Sequence, residues 1–251
     1  MEELENIGKQ PLLDFNFLKE LTDARIGLGH AGTSIPTKES LNFKLAHAQA
    51  RDAVYTPMAV VALSSKLESF NLPSTTLYSK VKDRTEYLQR PDLGRVLNQR
   101  STKVLGDEIK NCDVVICIAD GLSALAINLN AFDVIKLLVP KIQQANWSLA
   151  TICLVMQGRV AIADQIGEIL KAKLSLILIG ERPGLSAADS MGIYLTYRPK
   201  RGLTDDSRNC ISNIRKGGLS AELAANKIFY LIQQAMGKHI SGTGLKDEYE
   251  S

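Results

Sequence analysis

The sequence is poor in the residues that build metal sites and disulfide frameworks. Its 251 residues include only 4 Cys and 3 His. Cys112, Cys117, Cys153 and Cys210 show no Cys-x-x-Cys or zinc-type spacing, which argues against a structural metal. Cys117 and Cys153 lie inside apolar runs, where a free Cys behaves as a small hydrophobe. His30, His47 and His239 stand alone, and nothing in the spacing of Ser, Cys and His supports a nucleophile triad. A dominant charge is also missing. Lys and Arg number 30 against 27 Asp and Glu, a net charge of +3, and the two signs intermingle without the basic stripe that nucleic acid requires. The longest apolar runs reach about seven residues, far short of the roughly 18 that span a bilayer. Met1 to Asn6 is acidic and has neither a signal core nor an Arg-rich transit pattern. These absences predict a soluble, cytoplasmic protein with no nucleic-acid or membrane partner. A hydrophobic share of 45% is ordinary for a globular domain and predicts one with a full core.

What is present is a succession of helix, buried strand and polar loop over Gly158 to Gly184. Ile162, Ile166, Ile169 and Leu170 recur at helical spacing. Leu174 to Ile179 has almost no polar break, as expected of a strand covered on both faces. Gly180-Glu181-Arg182-Pro183-Gly184 then forces a turn, and in a parallel sheet the loop after a strand's carboxyl end is where ligands are held. Strands are also predicted at Thr75 to Val81, Val114 to Ala119, Leu149 to Met156 and Gly192 to Tyr197. Helices are predicted at Phe15 to Thr22, from Thr37 to Pro57 with Leu41, Leu45, Ala48 and Val54 on one face, and at Met58 to Phe70. Further helices are expected from Pro91 through Leu97, at Ala124 to Asn130, at Phe132 to Gln144, and over 221–236 with Gly237 just past the end. The alternation predicts an α/β fold, a mostly parallel Rossmann-like sheet flanked by helices with an N-terminal helical extension. The expected division is a lead-in and helical region at 1–110 and an α/β domain at 111–251.

Several candidate sites carry a structural alternative. Gly27-Leu28-Gly29-His30-Ala31-Gly32 has the letters of a dinucleotide fingerprint, and Asp52 follows at twenty residues. The context is wrong, because no strand precedes it and Pro36 follows too soon for a helix to hold a pyrophosphate. Asp120, after a predicted strand, reads equally as a site residue or a helix cap. Glu181 and Arg182 read as site residues or as a surface ion pair. Cys210 to Ile214 reads as a short strand or a turn. A free-standing enzyme using Asp120, Glu181 and Arg182, or a nucleotide module using Gly27 to Gly32, are the readings these residues leave open.

Longer motifs narrow the choice. Arg159-Val160-Ala161-Ile162-Ala163-Asp164-Gln165-Ile166-Gly167-Glu168, Gly180 to Gly184 and Cys210-Ile211-Ser212-Asn213-Ile214 resemble the small-subunit family of ethanolamine ammonia-lyase. So do Arg90-Pro91-Asp92-Leu93-Gly94-Arg95 and Asp120 to Ser123, in the same order, and the likeness runs from about Ala24 to about Gly242. The resemblance implies a carbon–nitrogen lyase that converts ethanolamine to acetaldehyde and ammonia by adenosylcobalamin radical chemistry. It implies a non-catalytic chain that completes the cobalamin pocket beside a TIM-barrel large subunit, six large and six small chains together. By motif, the cofactor contacts would be Val160, Glu181 and Cys210. The family keeps the cofactor's lower base on cobalt, and this sequence has no Asp-x-His-x-x-Gly motif to replace it. Some members carry a long N-terminal extension linked to a bacterial microcompartment. Only about 23 residues precede the matching region here, so cytoplasm is expected first and a microcompartment second.

Overall fold

Two unbroken apolar runs make the centre of the sheet. Val114–Ala119 (β2) and Leu174–Gly180 (β4) are buried at every position, as parallel strands covered on both faces must be. The computed structural model describes residues 18, 21–22, 24–108 and 111–249. The other strands are β1 (Ser74–Tyr78), β3 (Ile152–Met156), β5 (Met191–Tyr197) and β6 (Arg208–Ile214). They form one six-stranded sheet in the order β1-β3-β2-β4-β5-β6. The first four run parallel, and β5 is antiparallel to both neighbours.

Seven α-helices occur among the described residues: α1 (Thr37–Tyr55), α2 (Val60–Glu68), α3 (Arg84–Gln89), α4 (Gln99–Gly106), α5 (Ala124–Gln144), α6 (Ile162–Leu170) and α7 (Ala221–Lys238). The pleat sorts them. Val114, Ile116 and Ile118 point to one face and pack with α2, α5 and α7. Val115, Cys117 and Ala119 point to the other and pack with α4 and α6. Each fully buried aliphatic side chain contributes roughly 1.5–3 kcal/mol, and both faces are lined by many. The α/β class and the mostly parallel sheet are therefore as expected. The chain divides between Gln49 and Ala50, and β1, from the portion read as a lead-in and helical region, is a strand of the sheet.

Three local expectations need correction. The two helices anticipated on either side of Ala131 are one helix, α5, which runs through Asn130 and Pro140. Nine of its side chains are buried, and Asn130 donates to the Ala126 and Asp189 carbonyls, so packing overrides weak local propensity. The segment after Pro91 is a short 3₁₀ turn at Leu93–Arg95, and Val96 is extended. The helix starts later because Asn98 accepts from Ser101 N–H and caps α4. Gly237 lies inside α7, and the left-handed terminator is His239, whose ring is held by the Tyr197 hydroxyl at 2.8 Å. On α1, Leu41 and Leu45 are exposed at 57% and 59%, and Ala48 and Val54 are half-buried. The helix expected at Phe15 to Thr22 lies largely outside the described residues.

Two glycines fix how closely β4 approaches the loop after β2. A Cβ on Gly180 would lie 2.0 Å from the Ser123 carbonyl oxygen, and one on Gly121 would lie 2.3 Å from the Gly180 carbonyl oxygen. A Cβ on Gly237 would meet nothing within 4 Å. Gly180→Ala should therefore destabilise the protein by about 2–3 kcal/mol or more, and Gly237→Ala should stabilise it by about 0.4–1 kcal/mol. Urea denaturation of the two variants checks both signs; equal midpoints would contradict the packing described.

Candidate functional site

The order of strands creates a crevice and the sequence then fills it. α5 follows β2 on one face, and α6 follows β3, the adjacent strand, on the other. Such a switch point opens a cleft at the strands' carboxyl ends. Asp120, the residue after β2, occupies it and is 3% exposed. Its carboxylate accepts from the backbone N–H of Gln157 at 2.9 Å and of Gly158 at 3.1 Å, in the loop after β3. Arg84 approaches it at 3.8 Å. Burial raises the Asp120 carboxyl above its ordinary range, and the N–H donors and Arg84 pull the other way. The Arg84 guanidinium also donates to the carbonyls of Val54 and Gly121 at 2.7 and 2.8 Å. The guanidinium carbons of Arg84 and Arg159 lie 4.6 and 4.1 Å from the centre of the Tyr87 ring. Tyr87 donates to the Gly158 carbonyl at 2.9 Å, and burial holds its phenol far above its usual range, so it stays a donor. Asp120 is thus neither helix cap nor open acid. The cap of α5 is Ser123, which accepts from Ala126 N–H.

A second arrangement lies on the outer half of the α6 face. Sheet register sets Tyr194 on β5 between Ile177 on β4 and Cys210 on β6. Tyr194 and Cys210 are directly opposite each other across β5 and β6. Glu181, the first residue after β4, turns inward beside them. Its Oε2 accepts from the Ser190 hydroxyl at 2.5 Å and from Asn213 N–H at 3.3 Å. Glu181 therefore makes no surface ion pair with Arg182 among the described residues. Its Oε1 lies close to Gly192, where an added Cβ would sit 3.0 Å from that oxygen and 3.4 Å from the Tyr194 ring. Burial pushes the Cys210 thiol up, and the Glu181 charge adds to this, so the sulfur is a neutral thiol and not a thiolate nucleophile. Val160 is half-buried against the same apolar cluster that Tyr194 borders. It also lines a cavity of ≈ 350 Å³ with Arg95, Arg159 and Asp205. Glu181 and Cys210 are brought together through Tyr194, and Val160 lies on the α6 side of the same face.

The family profile of the ethanolamine ammonia-lyase light chain matches residues 14–246. The chain is 48% identical over 237 residues to the ethanolamine ammonia-lyase small subunit of Pseudomonas putida (strain W619), covering 93% of this chain and 87% of that one. It is 50% identical over 235 residues to the small subunit of Pseudomonas fluorescens (strain SBW25), covering 92% and 85%. Against the small subunit of Azotobacter vinelandii (strain DJ / ATCC BAA-1303) it is 50% identical over 237 residues, covering 93% and 88%. The chain belongs to the ethanolamine ammonia-lyase small-subunit family. That membership implies a larger partner subunit and a lyase complex acting in ethanolamine degradation. Within this small subunit the glycines at 27, 29 and 32 all adopt positive φ, and the short bridge from Ala31 to Ser34 makes a turn there. No strand precedes that turn among the described residues, so the dinucleotide reading fails on context.

Tyr194, Gly192 and Ser190 were not anticipated from sequence. The signal was available in β5, where Ile193 and Leu195 face the core and an aromatic hydroxyl alternates with them. A buried pair was also missed. Arg208 of β6 donates to Asp164 of α6, and both side chains are 2% exposed. Burial raises the Asp164 carboxyl to about 6 against the opposing pull of Arg208. The folded chain therefore holds this proton more tightly than the unfolded chain, whose carboxyl titrates near 3.9. The group's contribution to stability is fully present below that value and is lost as pH rises through about 6. Urea midpoints from pH 4 to 7 should show this decline in the wild type and a flatter profile in Asp164→Asn; parallel profiles would contradict it.

Proposed function

We propose that this small subunit forms one wall of an adenosylcobalamin pocket shared with its large subunit, with Val160, Glu181 and Cys210 facing the cofactor. When bound, the cofactor supplies the radical that the conversion of ethanolamine to acetaldehyde and ammonia needs, by homolysis of its cobalt–carbon bond. The chain's own task is to bind, orient and exclude water. On this reading the substrate site belongs to the large subunit, a TIM barrel in an assembly of six large and six small chains. The Rossmann-like character of the sheet serves as a rigid support. The complex is expected in the cytoplasm, with a microcompartment as the second location.

The observation that carries the proposal is the Glu181 carboxylate oxygen that has no protein donor among the described residues, beside Gly192. Cobalamin presents amide arms and a ribose around an apolar ring, a surface of donors, acceptors and hydrocarbon together. Glu181 has one carboxylate oxygen tied to Ser190 and Asn213, and the other, beside Gly192, has no donor among the described residues. Such an oxygen can accept from an amide or ribose donor. Val160 offers a half-buried apolar wall, and Cys210 with Tyr194 offers neutral groups that neither attack nor ionise near pH 7. None of these roles needs an acid–base pair, and Asp120, whose carboxylate is already bonded to the loop after β3, is not called on.

In the complex with the large subunit, Glu181→Ala should weaken cobalamin retention roughly tenfold to a hundredfold, the loss of one hydrogen bond to a charged group. Ultraviolet–visible titration of the reconstituted complex measures it, with circular dichroism as the control for folding. Gly192→Ala should act in the same direction with the fold intact. Retention equal to wild type in both variants would remove Glu181 and Gly192 from the site.

A further inference from the structure

A second concave region lies between α4 and α6, away from Glu181 and Cys210. Lys80, Thr102, Lys103, Gln165 and Arg201 line a cavity of ≈ 360 Å³ that shares no lining residue with the cavity at Val160. Lys80, Lys103 and Arg201 have no carboxylate partner at ion-pair distance among the described residues. Glu168 reaches only the backbone N–H of Arg201, at 3.3 Å. The three cations are exposed and give the hollow a positive potential that favours an anion.

Gln165 supplies an independent observation. It is 7% exposed, and its Oε1 accepts from Leu97 N–H at 2.9 Å. A backbone N–H can only donate, so the amide oxygen must face Leu97 and the amide nitrogen must face away. The two N–H donors of that nitrogen have no acceptor among the described residues. That nitrogen belongs to a residue of the cavity lining and is open to whatever occupies the hollow. Gln99, the first residue of α4, lies at the rim, so the positive end of that helix adds to the field. The polar lining thus presents mainly donors and positive charge, which calls for a ligand rich in acceptors and negative charge. Val96 and Leu97 form an apolar side, and the volume is within the range of small-molecule pockets.

We propose that the groove between α4 and α6 binds a phosphorylated small molecule, its phosphate taken by Lys80, Lys103, Arg201 and the Gln165 amide. This site does not rest on the cobalamin reading, and its test is kept separate from it. The assembled complex of full-length chains is titrated calorimetrically with inorganic phosphate and with glycerol 3-phosphate, against sodium chloride at matched ionic strength. Saturable binding is expected for both, tighter for the phosphomonoester. It should weaken at least tenfold in the double variant Lys103→Ala/Arg201→Ala and in Gln165→Glu, which keeps an oxygen for Leu97 but replaces the donors with a carboxylate. Cobalamin content should stay at the wild-type level in both. Phosphate no better than chloride, or equal affinity in the variants, would overturn the site. Equal affinities for the two ligands would assign the groove to inorganic phosphate and overturn the organic part. Loss of subunit assembly in the double variant, with no phosphate binding to the wild type, would assign it to an acidic surface of the large subunit and overturn the proposal.

Discussion

The Asp120 carboxylate is the constraint on which the rest of the fold depends. It is placed where adjacent parallel strands send their helices to opposite faces, a position that in open α/β sheets receives a ligand. Here it accepts the Gln157 and Gly158 N–H groups and so ties the loop after β2 to the loop after β3. Gly121 and Gly180 let β4 close against the same loop. Tyr87, between two guanidinium groups, supports the far side; such contacts contribute about 0.5–2 kcal/mol each, more as they are desolvated. The cleft is thereby consumed by the protein's own polar groups, and the surface left for a partner or cofactor moves outward along the sheet.

That displacement gives the outer half of the α6 face its character. α6 covers the centre of the sheet, and the buried Arg208–Asp164 pair fastens β6 to it. Beyond α6, Tyr194, Cys210 and Glu181 share the surface of β4, β5 and β6. The phenol and thiol are both raised above their ordinary ranges and are neutral near pH 7. A surface built this way suits binding and orientation better than proton transfer, in keeping with the proposal that the larger subunit holds the substrate.

Much of the fold was legible because burial on both faces leaves a strong mark. Val114 to Ala119 could be bounded to the residue, since every position is apolar. Gly180 and Pro183 announced the end of β4. Helix boundaries were harder to read. Asn130 and Pro140 look like breaks, yet the buried side of α5 carries the helix through them, and Asn98 caps α4 through a side chain whose role depends on local backbone geometry. For the site, Val160, Glu181 and Cys210 came from long family motifs, and residue spacing alone gave Glu181 only as an acid on a turn. The grouping of Glu181 with Tyr194 and Cys210 was not readable, because it depends on the register of β5 between β4 and β6. Cross-strand neighbours far apart in sequence leave no local pattern. The same holds for Arg84 and Asp120, 36 positions apart in the chain and joined only by the topology.

On the proposed reading, the loop after β4 and the adjoining part of β6 meet the cofactor. Hydrogen–deuterium exchange of the assembled complex with and without adenosylcobalamin tests it most directly. Cofactor binding is predicted to slow exchange in the segments 181–190 and 210–215, with little change in the loop at 157–158, whose amides are already bonded to Asp120. Unchanged exchange at 181–190 and 210–215, with protection confined to other parts of the small subunit, would contradict the account.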